Sequence, residues 1–238
     1  KNDETIGSPL ICSSFFLLMA CGSNNTNSKN PEQNTTAKTE QTSAAKQIYQ
    51  VEAVAHFKEP WAITSLPDQR LLVTERQGKL KIFNPQNKQV LDVQGVPAVN
   101  YGGQGGLGDV ALHPDFAKNH WIYLSYAAKG QGGSGAVISR AKLDLSDPNQ
   151  PKLTDIKQIW QQVPKVSGQG HYAHRMLFGA DGKLWVSSGE RQKFDPAQDM
   201  KSNLGKILRL NEDGTPVSDN PFSQQGGVTA EIWSLGHR

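Results

Sequence analysis

The stretch Gly102–Phe116, GGQGGLGDVALHPDF, contains a G-x-G-x-x-G pattern, and its interpretation decides the fold. In a dinucleotide-binding fold such glycines open a helix whose N-terminus holds a pyrophosphate, with an acid about 20 residues later for the ribose. Here Pro114 would break a helix, and residues 117–143 contain neither Asp nor Glu. We therefore expect the glycines to form a loop that passes close to a ligand without cradling a phosphate, and a strand to follow them.

The sequence on both sides alternates short β-type runs with Gly, Pro, Asn and Asp. The runs LLVTE (71–75) and KLKIF (79–83) flank Arg76-Gln77-Gly78, which predicts a hairpin. Four further runs are predicted as strands: WIYLSYA (121–127), AVISRAKLDL (136–145), KLWVSSGE (183–190) and KILRL (206–210). Because no ten-residue stretch after Ile48 has the apolar spacing of a helix, the sequence predicts a mostly antiparallel β domain.

An internal repeat runs through this part of the chain. ITSLPDQRLLVTE, DVALHPDFAKNHWIYLSY and RMLFGADGKLWVSSGE each have an apolar strand, a turn with an acid (Asp68, Asp115 or Asp181) and a second apolar strand. The interval from Asp115 to Asp181 is longer than that from Asp68 to Asp115, which predicts a long loop inside one unit. A fourth copy is predicted to begin at AEIWSLGHR (230–238). Repeats of about 40–50 residues with several strands are typical of β-propeller blades. The sequence thus predicts an all-β propeller of three to four blades, the last cut off after its first strand, with a two-sheet sandwich as the alternative.

The N-terminal region has the pattern of a bacterial lipoprotein leader. Pro9–Ala20 is an apolar run of signal-peptide length, too short to span a bilayer, and it is followed by Cys21 as in a lipobox. Residues 22–47 contain no Val, Ile, Leu, Met or aromatic residue. We expect a signal peptide over 1–21 with Cys21 lipidated, a disordered polar tether over 22–47, and a partial propeller over 48–238. A buried hydrophobic segment is the alternative for the apolar run.

This pattern predicts an exported bacterial lipoprotein on the periplasmic side, held at the outer membrane through its lipid alone. The two cysteines, Cys12 and Cys21, both lie in the leader, so the folded part is predicted to have no disulfide and no thiolate metal site. The formal net charge is +3, with 20% charged residues, so no strong electrostatic field indicates a nucleic-acid partner.

Four blocks in order carry a resemblance to a known family: GQGGLGDVALHPDF, GQGHYAHRMLFGADGKLWVSSGE, GKILRLNEDGTPVSDNPF and AEIWSLGHR. They are similar to the soluble quinoprotein aldose (glucose/sorbosone) dehydrogenases, over about residues 51–238. The resemblance implies a six-bladed β-propeller that uses pyrroloquinoline quinone and calcium. It implies oxidation of an aldose at C1 to a lactone, with an electron acceptor that the sequence does not identify.

The resemblance also implies roles for four residues. His171 would be the general base, and an unperturbed imidazole is suitably neutral near pH 7. His174 is a rival for that role by residue type only. Glu190 would bind the sugar through a charge-assisted hydrogen bond, and Gln104 would lie near both the anomeric oxygen and the cofactor. Arg238 would lie against the quinone oxygens, where a permanent cation stabilises charge on the reduced cofactor.

Other parts of the family pattern, namely the calcium ligands and further cofactor-binding residues, would follow Arg238. We therefore expect no metal ligand within this sequence and no activity from the isolated chain. Two other functions remain open on sequence alone. One is a non-catalytic exported propeller lipoprotein that binds carbohydrate or protein. The other is a propeller lactonase, which would need a ring of Asp, Glu and Asn ligands that the sequence does not obviously supply.

Overall fold

The computed structural model describes residues 49–238. The predicted signal peptide, the lipidation at Cys21 and the tether over 22–47 lie outside the described residues, so these assignments and their boundaries stay predictions. Among residues 49–238, no helix combines the length and the apolar character needed to cross a membrane.

The described residues form three four-stranded antiparallel sheets, each a simple meander in chain order. The first sheet contains β1 (Pro60–Ser65), β2 (Leu71–Glu75), β3 (Lys79–Phe83) and β4 (Val90–Asp92). The second contains β5 (Leu107–Leu112), β6 (Trp121–Gly130), β7 (Gly133–Asp144) and β8 (Lys152–Gln161). The third contains β9 (Ala173–Phe178), β10 (Leu184–Ser188), β11 (Lys206–Leu210) and β12 (Ile232–Leu235). The helical elements are α1 (Phe116–Asn119) and three 3-10 turns, at Asp195–Ala197, Ser223–Gln225 and Gly227–Glu231.

The sheets pack face to face around two apolar clusters, one on each side of the second sheet. Side chains alternate between the faces of a strand, so Ile122 and Leu124 enter the first cluster while Tyr123 enters the second. Because both faces of the second sheet are covered, β6 is a continuous run of buried residues from 122 to 127. Complete burial of each large apolar side chain contributes about 1.5–3 kcal/mol. The first strands β1, β5 and β9 contact one another in turn, as the innermost strands of propeller blades do.

Most strand predictions are confirmed, including the hairpin between β2 and β3. Glu75 pairs with Lys79, and Gly78 closes the turn with a φ of +99° and a hydrogen bond from its N–H to the Glu75 carbonyl (2.9 Å). The glycines of 102–108 lead into β5, so the prediction of a strand rather than a phosphate-binding helix is also confirmed. Three sheets of consecutive strands replace the two sheets that a sandwich would require.

Two details of the predicted repeat are wrong. The segment AEIWSLGHR does not open a fourth blade, because β12 pairs antiparallel with β11 and completes the third sheet. The loop over 211–231, with its two 3-10 turns, returns the chain to that sheet. The longer second interval does not come from a loop inside a blade. It comes from the length of β6, β7 and β8 (10, 12 and 10 residues), since β2, β3 and β4 of the first sheet have only 5, 5 and 3 residues.

Candidate active site

Three loops at one end of the inner strands bring Gln104, His171 and Glu190 together. Gln104 precedes β5, His171 precedes β9, and Glu190 follows β10. The Oε1 atom of Gln104 accepts the His171 backbone N–H at 2.7 Å, and the Gln104 N–H donates to the Gln169 carbonyl at 2.8 Å. Gly103 permits this close approach, because a Cβ at that position would lie 2.6 Å from the Gln169 carbonyl oxygen. The glycine-rich stretch therefore serves loop–loop contact.

His171 and Glu190 form a hydrogen-bonded pair through Nδ1 and Oε1. The second carboxylate oxygen of Glu190 accepts the backbone N–H groups of Lys193 (2.6 Å) and Phe194 (2.8 Å). Burial raises the pKa of Glu190, but the hydrogen bonds from His171 and from these backbone N–H groups outweigh it and lower the pKa to about 2. Glu190 is therefore ionised at neutral pH, and an ionised carboxylate only accepts hydrogen bonds. It follows that Nδ1 of His171 donates to Glu190, which in the neutral ring leaves the lone pair on Nε2.

Arg238 lies on the other side of the imidazole. One of its terminal nitrogens is 3.2 Å from His171 Nε2. A guanidinium only donates hydrogen bonds, so this contact requires Nε2 to be an acceptor, in agreement with the tautomer that Glu190 fixes. The structure therefore brings all four of the predicted residues into one site, with His171 in contact with each of the other three.

The rival histidine, His174, lies in the interior. Its ring is 1% exposed, stacks on Trp61 with centroids 6.0 Å apart, and places Nδ1 2.8 Å from Ser125 Oγ. Burial lowers the pKa of His174 to about 4, so the ring is neutral. Its Nε2 has no hydrogen-bond partner among the described residues. A ring enclosed in this way is not placed to take a proton from a bound sugar.

Strained backbone is concentrated around this site. Eleven non-glycine residues of the described chain have positive φ, and six of them lie in the two loops that carry the histidine–glutamate pair or at the adjoining start of β9: His171, Ala173, His174, Arg191, Gln192 and Phe194. Each such conformation costs on the order of 1–3 kcal/mol and persists where the surroundings over-determine it, most often at functional sites. No sequence pattern indicates this strain, since positive φ is expected at glycine and none of these positions is a glycine.

The donor set suits a cofactor rich in acceptor oxygens, because Arg238 presents N–H donors beside the imidazole. Within residues 49–238, no group of three or more His, Cys, Asp or Glu side chains converges as a metal site. A calcium ion has no assigned ligands here and stays a prediction.

Three meandering sheets with a histidine–carboxylate pair at their loop end define a partial β-propeller with an enzyme-like site. Residues 57–238 match the family model described as Glucose / Sorbosone dehydrogenase, and the chain belongs to that family. The fold prediction of an incomplete β-propeller is confirmed by solved structures of related dehydrogenases.

Three relatives illustrate the similarity. Aldose sugar dehydrogenase YliI of Escherichia coli is 39% identical over 183 residues, which cover 75% of this chain and 48% of that protein. Quinoprotein glucose dehydrogenase B of Acinetobacter calcoaceticus is 30% identical, over 78% of this chain and 43% of that protein. The structure of the PQQ-bound form of aldose sugar dehydrogenase from Streptomyces coelicolor matches with a TM-score of 0.69 at 30% identity, over 79% and 54% of the two chains. The chain thus spans about half the length of the relatives it matches.

Proposed function

We propose that this chain is the part of a quinoprotein dehydrogenase that carries the general base for oxidation of an aldose at C1. The observation that carries the proposal is the His171–Glu190 pair, in which Nε2 faces Arg238 as an acceptor while Gln104 holds the His171 backbone. Family membership and the PQQ-bound relative support the same chemistry.

In this proposal His171 Nε2 takes the proton of the anomeric hydroxyl while C1 gives up a hydride, which leaves a carbonyl at C1 and hence a lactone. Pyrroloquinoline quinone, when bound, supplies the two-electron acceptor for that hydride. The imidazolium that forms on His171 lies against ionised Glu190, which stabilises the new positive charge. Glu190 thereby acts mainly through His171, since its two oxygens are already bonded to the ring and to backbone N–H groups.

Gln104 and Arg238 have supporting roles in this proposal. Gln104 Oε1 holds the backbone of His171, so its side chain joins the glycine loop to the base at the edge of the sugar site. Arg238 would help to hold the quinone by donating hydrogen bonds to it, and a calcium ion would supply Lewis-acid chemistry. The electron acceptor that reoxidises the cofactor stays open.

The complete gene product, loaded with pyrroloquinoline quinone and calcium, tests the proposal by aldose-dependent reduction of an artificial electron acceptor. His171→Ala should lower kcat on the order of 10² or more, as loss of a general base does. His56→Ala, at an exposed position before β1, is the matched histidine control and should leave kcat unchanged. If the wild-type protein binds sugars without oxidising any aldose, the enzyme proposal is wrong and a binding propeller is favoured.

We further propose export as a lipoprotein, from the apolar run and Cys21 described above. Mass spectrometry of the mature N-terminus should find a diacylated or triacylated Cys21 in the membrane fraction. Cys21→Ser should release the protein from that fraction. An N-terminus upstream of Cys21 in the mature protein would contradict this assignment.

A further inference from the structure

Arg191 is a completely buried cation in the loop that follows β10. It is 1% exposed, and its guanidinium stacks on the ring of Tyr172 with the central carbon 3.7 Å from the ring centroid. Its Nε donates to the Gly170 carbonyl at 2.9 Å, and its terminal nitrogens donate to the carbonyls of Gly168 (2.6 Å) and Ser134. The backbone N–H of Arg191 also donates to the His171 carbonyl at 3.2 Å.

The positive charge of Arg191 has no carboxylate partner among these contacts. Its neighbour Glu190 directs both oxygens elsewhere, to His171 and to the backbone N–H groups of residues 193 and 194. Removing a charge from water without a counter-ion is costly, and the cost is offset here only by carbonyl oxygens and an aromatic face. A buried methionine or leucine would fill the same volume without that cost, so packing alone does not account for an arginine.

The positions of the carbonyls that Arg191 binds show which segments of the chain it connects. Gly168 and Gly170 belong to the segment that ends in His171, whereas Ser134 lies at the start of β7 in the second sheet. The guanidinium therefore ties the segment carrying the base to a rigid strand of the neighbouring sheet. Gly168 and Gly170 have no side chains of their own to fix this segment, and His171 has a φ of +47°.

We infer that Arg191 is a positioning residue that holds His171, through the carbonyls of Gly168 and Gly170, in register with Gln104 and Glu190. The inference rests on the proposed function. Arginine suits the task because its planar fork reaches three carbonyls on two separate segments at fixed angles. Lys206 shows the contrast, because its ammonium also binds three carbonyls but all of them lie within ten residues of Lys206 along the chain, at Pro196, Ala197 and Leu204.

The kinetic test compares Arg191→Lys with Arg209→Lys in the complete enzyme loaded with pyrroloquinoline quinone. Arg209 is a buried arginine of β11 in the third sheet that pairs with Asp181 and Asp219, and it is the matched control. With kcat expressed per bound cofactor, Arg191→Lys should lower kcat about 10- to 100-fold, since a misplacement near 1 Å costs up to about 10² in rate. KM should change less than about threefold, and Arg209→Lys should leave both constants unchanged. An unchanged kcat in Arg191→Lys would overturn the inference.

Hydrogen exchange, measured by mass spectrometry without added sugar, provides a readout independent of turnover. In Arg191→Lys the amides of residues 168–172 should exchange at least tenfold faster, while those of β10 and β11 keep their protection. Equal protection of that segment in mutant and wild type would show that the guanidinium does not hold it. If wild-type enzyme oxidises no aldose, the proposed function fails and the exchange measurement alone decides whether Arg191 positions the loop.

A milder variant covers the case in which Arg191→Lys does not fold. Ser134→Ala removes a hydroxyl that contacts Arg191 (3.5 Å), Gly168 (3.3 Å) and Tyr172 (2.7 Å) without creating a large cavity. It should lower kcat several-fold and speed exchange at residues 168–172. No change in either quantity would contradict the bracing that we infer.

Discussion

Gly108→Ala is the most direct probe of why the loop before β5 and the start of that strand are so rich in glycine. An added Cβ at position 108 would lie 1.9 Å from Cε1 and 2.5 Å from Nδ1 of His174, whereas carbon atoms in contact are normally about 3.5–4.0 Å apart. The ring would have to move by about 1.5 Å or more. It is enclosed by Trp61 and Tyr172 and bonded to Ser125, so it has little room to do so.

Three contributions set the change in the free energy of unfolding for Gly108→Ala. Overpacking of a filled interior costs about 1–3 kcal/mol. Loss of the hydrogen bond between His174 and Ser125 adds about 1 kcal/mol. Gly108 does not have positive φ, so alanine fits the backbone there and returns about 0.4–1 kcal/mol by restricting the unfolded chain. We expect Gly108→Ala to lower the free energy of unfolding by about 2–3 kcal/mol.

The assay is a double-mutant cycle by urea unfolding, followed by tryptophan fluorescence. In a His174→Ala background the clash is gone, so Gly108→Ala should be neutral or should stabilise by about 0.5 kcal/mol, giving a coupling near 3 kcal/mol. Gly130→Ala is the control, because its Cβ would meet only the flexible end of Lys165, 2.6 Å away. Equal costs of Gly108→Ala in both backgrounds would refute the assignment of this glycine to the histidine ring.

Three further outcomes are expected. The folded-state pKa of His174, about 4, lies below the unfolded value of 6.5, so the unfolded chain binds the proton first as the pH falls. The free energy of unfolding should therefore fall by about 3 kcal/mol between pH 6.5 and pH 4. When unfolding is measured across that range, this loss should vanish in His174→Ala. Glu190→Gln should lower kcat on the order of 10² in the acceptor-reduction assay, because an amide no longer fixes the tautomer of His171. A small effect on kcat would show that His171 does not need the Glu190 carboxylate to act as the base. Asp109→Ala should cost about 2 kcal/mol in urea unfolding, since buried Asp109 accepts the Met176 N–H at 2.7 Å and so joins β5 to β9; a cost below about 0.5 kcal/mol would show that water replaces it.

The local structure of this protein could be predicted from sequence because it depends on near neighbours. The hairpin of β2 and β3 is specified by two apolar runs around a glycine that adopts positive φ. The pairing of β12 could not be predicted in the same way. Its residues form an apolar strand whether they open a new sheet or close an old one, and the choice depends on how the 21 residues from 211 to 231 fold back.

The candidate site was predictable only in part. The resemblance supplied Gln104, His171, Glu190 and Arg238, and the structure places them in contact, although their roles stay proposals. Arg191 had no signal, because a lone arginine in a polar loop resembles any solvated surface residue until its burial is known. The strained backbone around His171 was equally invisible, since positive φ at non-glycine positions follows from tertiary contacts that no local pattern records.

The residues of the site come from different sheets, and this limits how the site can be transplanted. Gln104 enters from the second sheet, Glu190 from the third, and His171 from the segment between them. A graft of any single sheet onto another propeller would carry at most two of these side chains, and His171 would lose its hydrogen bond either to Gln104 or to Glu190. The smallest transplantable module is therefore the pair of adjacent sheets from about residue 100 to residue 238.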